Sequence, residues 1–291
     1  MSTNDPDKKI LDIVENTVSE PYVSWLKNNI LPAISIRTVD TSASVGIKSK
    51  FGGIPALRKE SQWPVNRDGT PLWFLAEIHT TEIPEGQISS LFPKGILLFF
   101  YDYEYIDAQV VFFEEDTVRV TAPLAKKVTN YPLNILPIWQ REATVKLFHQ
   151  APISFEEIKT LPLYNSLHFA KIHKEYPDAL RPSFSIRNPQ YLEGILRHGT
   201  STSGHQILGY YRGIQSESLE SHLQNERVRH PEELSIAEIE SYLQWKLLLT
   251  INTEEDIGFV WGDHGKLHFF IHYQDLLNHD FTNVKVYFDT T

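Results

Sequence analysis

Residues 72–102 read LWFLAEI, a connection, then GILLFFYD; residues 246–275 read KLLLTI, a connection, then GKLHFFIHYQD. Each stretch has an apolar run ending at Ile78 or Ile251, an acid-bearing loop, a glycine (Gly95, Gly265), and a run with a Phe-Phe pair (Phe99–Phe100, Phe269–Phe270). Short apolar runs between turn residues read as buried strands. A glycine-bearing segment precedes each stretch: Phe51-Gly52-Gly53-Ile54-Pro55 and Leu208-Gly209-Tyr210. The period is far too long for a solenoid, so the reading is a duplication inside one globular fold. Its shared positions are apolar residues and glycines (Leu75 and Leu248, Ile78 and Ile251, Phe99 and Phe269), whereas polar positions differ, Glu77 against Thr250 and Asp102 against His272.

Working outward, Ile10, Leu11, Val14 and Val18 form a stripe at helical spacing, and Pro21 divides it from a second helix holding Tyr22, Trp25, Leu26 and Ile30. Residues 1–30 therefore read as an N-terminal helical segment and 31–291 as one domain, its halves at about 31–150 and 200–291 joined by a helical middle. Strands are expected at 33–39, 72–78, 95–103, 108–114, 117–122, 143–149, 245–251, 265–272 and 283–288. Glu115-Asp116 reads as a hairpin turn, Ser154-Phe155-Glu156-Glu157 as a helix start, 164–176, 188–198 and 215–244 as helices, and 275–278 as a short one. Strands, then helices, then strands predict an α+β fold with mainly antiparallel sheets.

The chain has 291 residues, 41% of them apolar, with 27 basic and 37 acidic side chains and a formal charge of −10. It can bury a sizeable core. The charge argues against a broad nucleic-acid surface and suits a basic protein partner. With no Cys, disulfides, thiolate nucleophiles and Cys-bound metals are excluded. No secretory leader or membrane-length apolar run is visible, so the expected location is the cytoplasm, with no membrane partner.

His264, His268 and His272 recur every four residues, but the alternation around them is that of a strand. Four residues along a strand span roughly 13 Å, too far to share a zinc at about 2 Å. They read as a half-exposed polar face, and no metal or cofactor is called for. His205 is either a ligand-binding or basic group or a buried histidine satisfied by backbone. Asp263, in the turn Trp261-Gly262-Asp263-His264-Gly265, either meets a partner or bonds its own backbone. Glu77 and Asp102 end up near matching strand ends, with nothing in the sequence to pair them. Gly199 to Gly204 lacks the Gly-Lys-Ser/Thr of a phosphate loop, and no Gly-x-Ser-x-Gly, His-Glu-x-x-His or dinucleotide fingerprint occurs.

Taken in order, the motifs resemble the YwqG-like family, also called the DUF1963 domain family. They are Ser49 to Pro55, Trp63-Pro64, Pro71 to Ile78, Pro93-Lys94-Gly95 and Phe99 to Asp102 in the first half. His205 to Tyr210, Trp245 to Leu249, Trp261 to Gly265, Phe269 to Ile271 and Asp275-Leu276 follow in the second. The resemblance covers roughly residues 30–290. It departs at Glu77, where the family commonly has Gln, at Tyr211, where a Pro is common, and over 216–243. It implies an α+β fold, mostly bacterial cytoplasmic proteins, no established reaction, and for some members a role as immunity proteins beside toxins.

Two functions follow. In the first, the protein is a cytoplasmic binding module, an immunity protein that neutralises a basic toxin by steering an acidic surface onto it. Glu217, Glu220, Glu226, Glu232, Glu233, Glu238 and Glu240 are the acids to watch. In the second, it is an enzyme or small-ligand binder whose cleft lies between the halves, with Gly52, Gly53, Trp63, His205, Gly209, Trp261 and Asp263 as candidate binding residues. A structural or regulatory module without a ligand stays open as a third.

Overall fold

The computed structural model describes residues 22–40, 44–124, 126–131, 139–162, 166–175, 204–214 and 233–290. The expected helices at 6–20 and 188–198, and Glu217, Glu220, Glu226 and Glu232, lie outside the described residues. Of the N-terminal segment, the described part is the helix α1 (Tyr22–Asn28).

The chain builds one ten-stranded antiparallel sheet. Its strands are β1 (Leu31–Thr38), β2 (Lys50–Phe51), β4 (Trp73–His79), β5 (Gly95–Asp102), β6 (Asp107–Glu114), β10 (Ala151–Thr160), β11 (His205–Ile207), β12 (Trp245–Asn252), β13 (Lys266–His272) and β14 (Lys285–Asp289). The order is β14-β13-β12-β11-β1-β10-β2-β4-β5-β6. Two short ladders lie apart from it, β3 (Ala56–Arg58) with β7 (Arg119–Thr121) and β8 (Lys126–Tyr131) with β9 (Trp139–Thr144). Helices α2 (Leu167–Glu175), α3 (Ile236–Tyr242) and α4 (Tyr273–Leu277), with 3-10 turns at Thr80–Glu82 and Ser89–Leu91, complete the described elements.

The sheet rolls up. Its edge strands β6 and β14 come back against one another, and rings from opposite ends meet inside: Phe99 on Phe269 at 5.4 Å and Tyr101 on Trp261 at 5.9 Å, both edge-to-face. One buried interior thus takes residues from every long strand of the roll, including Ile36, Phe51, Leu75, Leu97, Ile153, Ile251 and Ile271. A second cluster, Leu57, Trp63, Phe74, Leu98, Phe100 and Phe113, lies on the outer face of β4–β6. Because β4, β5, β12 and β13 are covered on both faces, they are near-continuous apolar runs.

The β4–β5 and β12–β13 pairs have local features in common. β4–β5 skips register at Leu75 and β12–β13 skips at Leu248, so both fully buried leucines sit on bulges that bend the sheet. Thr80 Oγ1 accepts from Gly95 N–H at 2.9 Å, and Thr253 Oγ1 donates to Gly265 O at 3.0 Å. β2 and β11 each run into a turn with two successive left-handed residues: Gly52 (φ 58) and Gly53 (φ 72), Leu208 (φ 54) and Gly209 (φ 70). A Cβ on Gly52 would strike the His149 carbonyl, which requires glycine there.

Two sequence expectations fail locally. Residues 154–157 continue β10 rather than start a helix: β10 pairs with β1 from Ile153 to Thr160 and with β2 at Ala151 and Pro152. These partners are remote in sequence, and the ladder outweighs the local helix signal. Thr117 N–H does bond Glu114 O, forming the turn expected at 115–116, but β7 then leaves β6 and pairs with β3.

Candidate functional site

The residues singled out from sequence fall into separate environments. His205 is buried between the halves. Its Nδ1 accepts from the Asn252 amide at 3.1 Å, which leaves Nε2 to donate to Glu254 Oε2 at 2.5 Å. Glu254 Oε1 in turn accepts from Thr38 Oγ1 at 2.8 Å. The hydrogen bond from His205 is the main reason the Glu254 carboxyl is held below the ordinary carboxylate range. Both imidazole nitrogens are thus committed. The ring packs on Phe51 at 4.5 Å, and Phe51, Phe259 and Trp261 continue the wall. Trp261 donates its indole N–H to Asn252 O at 3.2 Å. Gly52, His205 and Trp261 therefore meet around one aromatic wall, while Gly53 sits beside Gln150.

The others are elsewhere. Trp63 is in the outer cluster, its indole bonded to Leu72 O at 2.9 Å. Asp263 is exposed, its amide bonded to Thr290 Oγ1 at 3.1 Å. Glu233 is exposed just before α3. Gly209 packs against Ala33 and Thr160 and borders a crevice of about 520 Å³ between the halves. Ile88 and Leu91 line the crevice from the first half and Leu208, Leu247 and Leu276 from the second, with Lys246 beside them.

Two polar clusters on the outer faces escaped the sequence reading. In the first half, Glu77 is 5% exposed. Its Oε1 accepts from Arg119 Nη1 at 2.9 Å and lies 3.1 Å from His79 Nε2, and Lys50 Nζ is 3.9 Å from Oε2. Burial pushes the Glu77 carboxyl up. The hydrogen bond with His79 and the Arg119 charge outweigh that and keep it below the ordinary value. Burial lowers the Lys50 ammonium. A signal was present: Glu77 and His79 are polar at alternate positions of an apolar strand. Their partner Arg119 comes from 42 residues away, which no local pattern discloses.

A second cluster, on β12, β13 and β14, holds Thr250, His268 and Asp289. Thr250 Oγ1 is 2.9 Å from His268 Nδ1, and His268 Nε2 is 3.6 Å from Asp289 Oδ2. His268 is fully buried, whereas the sequence had suggested a half-exposed face. Tyr211 meets its ring edge-on at 5.9 Å, and burial lowers the His268 pKa. His264 is exposed, and His272 accepts from the Gln274 amide at the start of α4. No group of three or more His, Cys, Asp or Glu among the described residues is placed to hold a metal, and no described helix is long and apolar enough to cross a membrane.

Fold and site together define a sheet-rich α+β protein whose polar clusters are set into the walls of a rolled antiparallel sheet. The chain belongs to the family described as "Domain of unknown function (DUF1963)", whose model matches residues 49–290. No curated protein matches the chain.

Proposed function

We propose that this protein acts by binding another protein in the cytoplasm, as an immunity-type partner that covers a basic toxin. The observation that carries the reading is where the charge lies. The buried charged residues among those described are Glu77, Asp102, Asp289 and Arg212, three carboxylates against one guanidinium, or −2. The whole chain carries −10. Burial of described residues takes up little of that excess, and an accessible acidic surface steers basic partners. His205, the residue with the best claim to acid–base chemistry, has both ring nitrogens engaged, which further favours binding over catalysis. Affinity capture from the native cell tests this: a basic protein should be retained and released by salt. Co-expression with an adjacent toxin gene should restore growth. Capture of nothing specific together with unrelieved lethality overturns the reading.

The same proposal includes the origin of the fold: one domain over 31–291, made of two pseudo-repeated halves. The matched bulges, left-handed turns and Thr–Gly contacts support it.

A second reading has its own observation in the crevice of about 520 Å³ between the halves. Its volume is that of a small-molecule site, and its lining is mainly apolar. Native mass spectrometry should then find a co-purifying small molecule that Leu91→Trp excludes. A ligand-free mass for the unaltered protein, taken straight from the cell, sinks it.

A further inference from the structure

We infer that the crevice between the halves holds an aliphatic carboxylate, its chain against the apolar walls and its head in a small polar recess beside Lys246. The inference rests on the small-molecule reading of the crevice and names the class of ligand. The recess, of about 40 Å³, is walled by Ser166, His168, Tyr210, Trp245 and Phe270. It shares Leu31, Gly209, Lys246 and Leu247 with the crevice, so the two cavities adjoin.

Two polar atoms in the recess wall are the reason to expect a head group. His168 Nδ1 and Ser166 Oγ are both closed off from solvent, and neither has a hydrogen-bond partner among the described residues. Buried polar atoms are costly when left unpaired, and here two of them line one cavity. Its volume exceeds the roughly 10–15 Å³ that one water needs and admits a carboxylate. One carboxylate oxygen then accepts from the Ser166 hydroxyl and the other from the His168 Nδ1–H. Both residues sit at the start of α2, whose first turn bears no acidic side chain, so the positive end of that helix has no carboxylate from its own turn.

Charge selects an anion. The chain as a whole carries −10, yet among the described residues no Asp or Glu lines either cavity, while Lys246 lines both. Its ammonium donates to Leu243 O at 2.7 Å and lies 5.6 Å from the Tyr273 ring. Burial is the main reason the His168 pKa is pushed down to about 3, and the Lys246 and Lys171 charges lower it further. The imidazole is therefore neutral, and the positive field that keeps a second proton off it is one that draws a carboxylate. Lys171 is bridged to Glu175 at 3.3 Å and Glu240 at 3.0 Å, which leaves Lys246 as the cation of the recess itself. The crevice supplies the place for the chain: Ile88, Leu208 and Leu276 belong to the buried interior, and Leu31 and Tyr273, 39% and 36% exposed, stand at its mouth. An apolar channel that ends at a lone ammonium and two unpaired polar atoms matches a molecule with one long apolar part and one anionic end.

The test is a calorimetric titration of the delipidated full chain with dodecanoate below its micelle concentration, and with dodecanol, dodecyltrimethylammonium and acetate as counterparts. Dodecanoate should saturate a single site and bind about tenfold more tightly than dodecanol. Dodecyltrimethylammonium and acetate should give no saturable heat. Lys246→Met and His168→Phe should each cut the preference for dodecanoate over dodecanol severalfold, a ratio that general damage to the crevice does not move. If His168→Phe fails to fold, Ser166→Ala serves, with a smaller loss of the same preference expected. No binding of dodecanoate, equal binding of the neutral or the cationic counterpart, or a preference indifferent to these substitutions overturns the inference. Equal binding of dodecanoate and dodecanol leaves the small-molecule reading of the crevice standing. A ligand-free mass from the cell, with dodecanoate still preferred in the titration, removes that reading and keeps the site.

Discussion

Lys50 and Gln206 perform one task with different chemistry. Each begins a turn of two left-handed residues and donates to the carbonyl four residues on: Lys50 Nζ to Ile54 O at 2.8 Å, Gln206 Nε2 to Tyr210 O at 3.0 Å. Across the ladder Lys50 faces Glu77 and Gln206 faces Thr250. The cation thus comes with a buried carboxylate, and the neutral amide with a hydroxyl. The Glu77 cluster should therefore govern acid stability. Its folded pKa lies below the ordinary 4.5, so its contribution is present above pH 4.5 and lost as pH falls through the folded value. Glu77→Ala strands Arg119 and Lys50 and should cost about 3–5 kcal/mol at neutral pH, with Glu77→Gln costing less because it keeps an acceptor for Arg119. Urea midpoints at pH 7 and pH 3.5 check this, since the gap between variant and parent should narrow in acid. The glycines of this turn were legible in the sequence because φ > 0 demands them. The ion cluster was not, since burial and Arg119 came only with the fold.

Elements with strong local signals were the readable ones. α3 lies within the helical stretch expected over 215–244, and its start is fixed by a cap the sequence analysis does not name: Ser235 Oγ accepts from the Glu238 amide at 3.2 Å while the Glu238 carboxylate accepts from the Ser235 amide at 2.8 Å, a reciprocal cap. Its far side buries Ile239 and Tyr242 against Leu167 of α2, and Lys171 bridges the helices to Glu240 at 3.0 Å. Ser235→Ala should cost about 1 kcal/mol, read as a shift in the thermal midpoint with an unchanged far-UV spectrum. A loss within error would mean that packing alone holds the helix. β10 shows the opposite case. Ser154 to Glu157 carry a capping pattern, yet the segment is a central strand, with Glu156 exposed and paired to Arg37 at 3.0 Å. Its strand character comes from β1 and β2, which lie more than 90 residues away in sequence, so a window of neighbours misreads it.

At the scale of the molecule, the strand order interleaves distant parts of the chain. β1 lies between β10 and β11, and β10 between β1 and β2, so residues 1–150 and residues 151–291 each take a strand of the other into their ladder. The interior repeats the interlock through Phe99 and Phe269. A double-mutant cycle on Phe99→Leu and Phe269→Leu should give a coupling of about 0.5–1.5 kcal/mol, where independent halves would give additivity. The exchange also fixes how the chain can be cut. Residues 1–150 hold β1, β2, β4, β5 and β6 but lack β10, leaving β1 without either neighbour and β2 with an open edge. Residues 151–291 hold β10 to β14 but lack β1 between β10 and β11. Each fragment also exposes the apolar face that the other covers. Expressed singly, both should be insoluble or lack dispersed NMR spectra. Expressed together, they should form a soluble pair with the spectrum of the intact chain. A dispersed native-like spectrum from residues 1–150 alone would show that β10 is dispensable to the first half and that the halves fold as separate units.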